Sequence, residues 1–168
     1  NPEATIFAIG RDTGFPHSVG TPSNVIRLGK TIIFDIFPCE AGGGYFYDFT
    51  RTWCLGYAPE AEQKLYDDVR EIYEKLMDEM EVNMPFGELQ RITCELFEAQ
   101  GHPTTRSNEA TQEGYVHSVG HGLGVNVHER PWARMEMKDN LLQRGTVFTI
   151  EPGLYYSERG MGVRIENT

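Results

Sequence analysis

Thr31-Ile-Ile-Phe-Asp-Ile-Phe37 and Tyr45-Phe-Tyr-Asp-Phe-Thr-Arg-Thr52 read as two neighbouring strands, each with one aspartate inside an apolar run. An antiparallel hairpin centred between Ala41 and Gly42 sets Asp35 opposite Asp48. Side chains alternate along a strand, so Ile33, Asp35 and Phe37 share one face, and Phe46, Asp48 and Thr50 share the facing one. Like charges directly opposite in a sheet repel, and burying unpaired carboxylates costs still more. A cation between them resolves the conflict, and a bound metal ion is the natural choice.

Further along, His121 lies in Gly120-His-Gly-Leu-Gly124, Glu151 in Thr149-Ile-Glu-Pro-Gly153 and Glu166 in Gly162-Val-Arg-Ile-Glu-Asn167. Each is a metal-competent side chain in an apolar or glycine-rich setting. Four carboxylates and one imidazole form a hard donor set. That set favours manganese, cobalt, iron or zinc in a two-ion site over a structural zinc held by thiolates.

The 168 residues suffice for one sizeable core, read as one domain over 1–168. With 39% hydrophobic and 24% charged residues the composition is that of a globular protein. No run approaches the length of a membrane span, and a membrane partner is not expected. The net charge of −10 argues against nucleic acid as a partner. Cys39, Cys54 and Cys94 have no zinc-type spacing and suit reduced thiols in the cytoplasm. Cys39 sits near the aspartate hairpin, but a small loop cysteine is the commoner role. The chain opens on Asn1-Pro2 with no secretory signal, so it reads as a piece of a longer or processed polypeptide.

Residues 1–30 read as strand and loop, with a turn at Phe15–Gly20 carrying His17 and another at Leu28-Gly-Lys30. The second aspartate strand is expected to extend through Trp53 to Tyr57. Pro59 suits a helix start. Leu65, Val69, Ile72, Leu76 and Met80 then recur at helical spacing, with charged residues on the solvated face. A second helix spans about 86–100 with Leu89, Ile92 and Leu96 inward, stopped at Gly101. Residues 102–113 are loop. Strands and glycine-rich turns follow, including Thr146–Ile150 and a final strand over Gly162–Asn167. The order suggests an α+β domain, a curved and mostly antiparallel sheet backed by helices.

Each motif has a bland alternative. Arg51 could neutralise Asp48, but its parity points it to the other face. His117 and His121 are four apart, yet the glutamate of a helical zinc motif is missing and the glycines disfavour a helix. A strand leading into a tight turn fits better, with glycines allowing close backbone approach at His121. No Gly-Lys-Ser or Gly-Lys-Thr follows, so a nucleotide loop is weak. Arg164 and Glu166 share a strand face and could be a simple ion pair. His128-Glu-Arg-Pro131 could be a surface turn.

The order Pro16-His17, Asp35, Asp48-x-Thr-Arg-Thr52, His117-x-x-Gly-His121-Gly, His128-Glu-x-Pro131, Ile150-Glu-Pro-Gly153 and Val163-Arg-Ile-Glu166 resembles the metallopeptidases that include methionine aminopeptidase, prolidase and aminopeptidase P. The likeness covers nearly the whole chain. His117, the Thr50-Arg-Thr52 run and Arg164 make it more similar to the Xaa-Pro branch. The resemblance implies the pita-bread fold, here lacking flanking elements and an N-terminal domain. It implies two divalent ions, manganese first, with cobalt, zinc and iron as alternatives. Asp35 would hold one ion, Asp48 and Glu166 would bridge both, and His121 and Glu151 would complete the second. Glu151 would act as base, His117 or His128 would support the carbonyl oxygen, and His17 and Arg164 would position substrate. The implied reaction is hydrolysis of an N-terminal Xaa-Pro bond, with a homodimer allowed for in the full-length protein. Two other readings stay open: a methionine aminopeptidase-like exopeptidase, and a non-catalytic module holding a peptide in the same cleft.

Overall fold

The computed structural model describes residues 5–168, and the part of the expected 1–30 segment that falls on residues 1–4 lies outside it. Strand β2 (Thr31–Ile36) runs between β1 (Ile6–Ile9) and β3 (Phe49–Cys54) in an antiparallel three-stranded sheet. Register aligns Ile6, Asp35 and Thr50 in one row and Ala8, Ile33 and Thr52 in the next. All six are buried, so this is the inner face. Phe7, Phe34 and Arg51 alternate onto the outer face.

This register corrects the expected hairpin centre. Asp35 pairs with Thr50, not with Asp48, and Asp48 precedes β3 by one residue. The turn forms at Gly42 and Gly43, whose φ values of 92° and 100° few other residues adopt. The Gly43 amide donates to the Glu40 carbonyl at 3.1 Å, and Cys39 bridges to Phe46. The partner strand is therefore displaced by two residues. Because side chains repeat with period two, that displacement keeps Asp48 on the face of Asp35, now as a diagonal neighbour. β3 also stops at Cys54, short of Tyr57, because Gly56 turns the chain at φ 81°.

Helix α1 (Glu60–Glu79) starts directly after Pro59 and buries Leu65, Val69, Ile72 and Leu76 as one stripe. Each such burial is worth about 1.5–3 kcal/mol. Helix α2 (Phe86–Ala99) buries Phe86, Leu89, Gln90, Thr93, Cys94 and Phe97. Ile92 and Leu96, expected inward, are only partly buried at the flank. The larger Phe86 and Phe97 claim the centre of the face and rotate the stripe.

Helix α1 covers the hairpin of β6 (Gly153–Tyr156) and β7 (Met161–Arg164), α2 packs beside α1, and Leu154, Tyr156, Met161 and Val163 of the hairpin join the core of both helices. The opposite face of that hairpin presents Tyr155 to Ile6, Ala8 and Ile33 of the first sheet. The two strand systems therefore meet face to face, with helices behind the second. The ladder of β7 ends at Arg164, but the chain continues to a bridge between Asn167 and Ile150. Thr146–Ile150 makes single bridges and no ladder. Two short strands, β4 (His121–Gly122) and β5 (Glu129–Trp132), complete the cleft. No helix among the described residues is long and apolar enough to cross a membrane.

Candidate metal centre

The acids converge where β2, β3 and β7 meet. Asp35 comes from β2, Asp48 from the entry to β3, and Glu166 from just past β7. The Glu166 amide donates to the Thr50 carbonyl at 3.2 Å, and the Thr50 hydroxyl donates to Glu166 Oε2 at 2.6 Å. His121 enters from β4, whose short strand depends on Gly120. A Cβ at Gly120 would lie 1.9 Å from the Thr149 carbonyl oxygen, so only glycine allows that approach. Glu151 is held extended before Pro152, its amide donating to the Val119 carbonyl at 2.7 Å.

Asp48, His121 and Glu166 each offer a ligand atom within 4.8 Å of the other two, and all three are buried. Glu151 joins through His121, whose Nε2 lies 3.7 Å from Glu151 Oε1 and 3.7 Å from Asp48 Oδ2. Asp35 stands outside the tight group, beside Asp48, and is tied to Arg164 Nη2 at 2.7 Å. Arg164 therefore does not form the simple ion pair with Glu166 that their shared strand face allowed, and pairs with Asp35 instead. Arg51 turns outward as expected, donating to the Thr50 and Glu166 carbonyls at 2.8 and 2.6 Å. Cys39 is exposed and does not line the cleft.

The electrostatics favour a cation among these groups. Burial, then the charges of Glu166 and Asp35, push Asp48 up to about 9. Burial and Asp35 raise Glu166 to about 7, against the pull of Thr50 and Arg164. Burial and Glu166 hold Glu151 well above the usual carboxylate range. Burial lowers His121 to about 4, so the ring is neutral at physiological pH. Its Nδ1 lies 3.1 Å from the Gly122 carbonyl, which can only accept, so the proton sits on Nδ1. Nε2 therefore turns a lone pair toward two carboxylates, at a separation too long for a hydrogen bond but close to the span of two ligands on one ion. Asp35 Oδ1 and Asp48 Oδ1 are buried with no hydrogen-bond partner. Orphaned oxygens, an aimed imidazole lone pair and acids that cannot all ionise together fit a divalent cation.

The cluster floors a cavity of about 410 Å³ that also takes in His17, His117 and His128. The His121 and His128 rings lie 4.3 Å apart. Another concavity of about 510 Å³, lined by Tyr45, Leu123, Asp139 and Val147, contains none of the candidate ligands.

Sequence reasoning missed Tyr155 and Gln90. The Tyr155 hydroxyl receives a 2.8 Å bond from Arg164 Nη1 and lies 3.0 Å from His117 Nε2. Its place facing Arg164 follows only from the β6–β7 register. Gln90 Oε1 accepts from the Tyr115 hydroxyl at 2.7 Å and the Val119 amide at 2.6 Å, fixing the segment that leads to His121. A polar residue between the apolar Leu89 and Cys94 of α2 was its available signal.

The model of metallopeptidase family M24 matches residues 2–168. The chain belongs to that family. It is 32% identical over 165 residues to an Xaa-Pro dipeptidase of Pyrococcus furiosus, covering 98% of this chain and 43% of that protein. A putative dipeptidase of Bacillus subtilis is 31% identical, with 98% and 41% covered. The prolidase of Pyrococcus horikoshii superposes with a TM-score of 0.83 at 29% identity, covering 97% of this chain and 43% of that one. The X-Pro aminopeptidase of Thermotoga maritima gives 0.82 at 27%, with 96% and 42% covered. The α+β architecture is therefore the pita-bread fold, and the chain spans less than half the length of these relatives.

Proposed function

We propose that this chain carries the metal centre of an exopeptidase that hydrolyses N-terminal Xaa-Pro bonds. The observation that carries the reading is the donor set of buried Asp35, Asp48, His121 and Glu166 with half-buried Glu151 beside them, in which two carboxylate oxygens lack any hydrogen-bond partner. These five residues would hold two divalent ions, with manganese first among the candidates. Bound there, the ions would supply Lewis acidity and lower the pKa of a water.

The chain's own groups would do the rest. Glu151 reaches toward His121 and His117, with Oε2 3.9 Å from His117 Nδ1. It would accept the proton of the attacking water and pass it to the leaving amine. His117 is neutral, pushed down to about 3 by burial and then by the Arg164 charge. Its Nδ1 faces the Ser118 carbonyl at 2.7 Å and its Nε2 faces the Tyr155 hydroxyl at 3.0 Å. With both nitrogens engaged, it is better suited to orient the wall than to receive a carbonyl oxygen. His128, whose ring makes no hydrogen bond with a described residue, is the better donor to developing negative charge. His17 lines the same cavity and would position the substrate. Arg164 would act through Asp35 and Tyr155. Proline carries no amide hydrogen, so a site for this bond reads the ring by shape.

Asp48→Asn in the full-length protein tests the proposal. The variant should lose bound metal and Xaa-Pro hydrolysis together, whereas Arg51→Lys should keep its metal. Full metal content with unchanged hydrolysis in Asp48→Asn would refute it. A panel of Met-Ala and Xaa-Pro amino termini separates the Xaa-Pro reading from a methionine aminopeptidase, and metal analysis separates both from a non-catalytic module.

A further inference from the structure

A second polar cluster lies behind β6, with none of the candidate ligands among its members. Gly101, at φ 86°, ends α2, and the His102 amide donates to the Phe97 carbonyl at 2.9 Å. That turn places the His102 ring between α1 and β6. Its Nδ1 lies 2.6 Å from the Tyr156 hydroxyl, and its Nε2 lies 3.2 Å from Asp68 Oδ2. Tyr156 is 5% exposed, and the His102 side chain is 13% exposed.

The Asp68 carboxylate, paired with Lys64, can only accept, so the ring proton sits on Nε2 and Nδ1 accepts from the Tyr156 hydroxyl. With the ring neutral, every group in this chain is satisfied. Protonation turns Nδ1 into a donor. The Tyr156 hydroxyl, which makes no other hydrogen bond with a described residue, must then turn its own proton away in a buried setting. The surrounding charges also resist a charged ring. From α1, Asp68 attracts it, but Lys64 Nζ already holds that carboxylate at 2.8 Å. From α2, the uncharged Phe97 ring packs with its centroid 6.0 Å away. From the β6–β7 turn, Arg159 lies over the Tyr156 ring at 4.6 Å. Glu113, from the loop after α2, turns a negative charge toward Tyr156. Burial, aided by Lys64 and Arg159, holds His102 below the ordinary 6.5 against the pull of Asp68.

The segments this cluster grips carry the candidate site on their far side. Adjacent residues of a strand face opposite ways, so Tyr156 meets the helices while Tyr155 faces the first sheet. There the Tyr155 hydroxyl meets Arg164 at 2.8 Å and His117 at 3.0 Å. Pro103, next to His102, accepts from the Tyr115 amide at 2.9 Å, two residues before His117. Gly114 and Tyr155 exchange backbone bonds of 2.8 and 3.0 Å. The His117–Tyr155 contact is thus held from behind at both of its ends.

Resting on the peptidase reading above, we infer that Asp68, His102 and Tyr156 form an acid-sensitive positioning clamp: the neutral ring pins β6 and the segment leading to His117, and protonation of the ring frees them. His102 touches no reacting atom and acts through Tyr156 and Pro103. Because folding favours the neutral ring, the clamp is whole above pH 6.5 and weakens as pH falls from there toward the folded value.

The test uses the full-length, metal-loaded protein and its Tyr156→Phe variant, which keeps the ring and loses only the hydroxyl. Amide hydrogen exchange, corrected for the pH dependence of intrinsic exchange, is followed over Gly153–Tyr156 and, as an internal reference, over Phe49–Cys54. Between about pH 7.5 and about pH 5.5, wild-type protection of β6 should fall roughly 10-fold relative to β3, the size expected for one buried hydrogen bond. In Tyr156→Phe, β6 protection should be low at both pH values. The kcat for an Xaa-Pro dipeptide should follow β6 protection in both proteins, with KM little changed, and the variant should lack this acid-sensitive part of kcat. Parallel changes in β6 and β3, or a variant with wild-type protection and pH profile, would overturn the clamp. Loosening of β6 in acid with no matching change in kcat would overturn its positioning role. No turnover at any pH, with the exchange pattern as expected, would sink the peptidase reading and leave the clamp standing.

Discussion

Replacing Arg164 by Met shows what holds the acidic floor together without metal. The arginine is 3% exposed and donates to Asp35, Tyr155, Thr50 and the Pro16 carbonyl. Methionine can fill much of the stem but offers no donor. Asp35 Oδ1 already has no partner, so the substitution strands the whole carboxylate in a buried setting. Removing one partner of a buried ion pair costs about 3–5 kcal/mol. With a urea slope of about 1–3 kcal/mol per M, the unfolding midpoint should fall by at least ~1 M when a chelator is present. Excess manganese should shrink the loss, since a cation beside Asp35 replaces the one removed. The double variant Asp35→Asn/Arg164→Met should cost less than the two single losses added, because the partners are in contact. The assay is urea unfolding of all four proteins with chelator and with manganese. A midpoint change below ~0.3 M for Arg164→Met in chelator, or strict additivity in the cycle, would refute the reasoning.

Three other outcomes are expected. Asp48 and Glu166 have folded pKa values raised from 3.8 and 4.5 to about 9 and about 7, so the stability they lend the metal-free protein is whole below the unfolded values and falls as pH rises from there through about 7 for Glu166 and about 9 for Asp48. Metal holds the same groups ionised, so the gap in thermal midpoint between manganese-loaded and chelated protein should widen from pH 6 to pH 9, and a constant gap would contradict the assignment. Thr50→Val keeps the shape but removes the hydroxyl that donates to Glu166 and accepts from Arg164; metal affinity by competition with a chelator should fall about 10–100-fold. Gln90→Leu leaves the buried Tyr115 hydroxyl and Val119 amide without an acceptor, at roughly 1–3 kcal/mol each, so it should unfold in less urea while the exposed Gln112→Leu should not.

The periodic elements and the chemistry of the site were legible in the sequence, and its pairings were not. The stripe of Leu65, Val69, Ile72 and Leu76 marks α1 because local periodicity alone places it. Asp35 and Asp48 stand out because ionisable groups in apolar runs need an explanation. Their register depended on which glycines of Gly42-Gly43-Gly44 made the turn, and composition does not rank them. Likewise Arg164 was equally free to meet Glu166, two residues away, or Asp35, 129 residues away. Only the crossing of β7 over β2 and β3 selects Asp35. Tyr155 and Gln90 act across similarly long separations, through contacts with no local pattern.

Manganese added to crystals of the full-length protein gives the most direct measurement. Anomalous scattering should show density among Asp48, His121 and Glu166, extending to Asp35 and Glu151. No anomalous peak there, with Asp48 protonated and hydrogen-bonded to its neighbours, would contradict a metal centre.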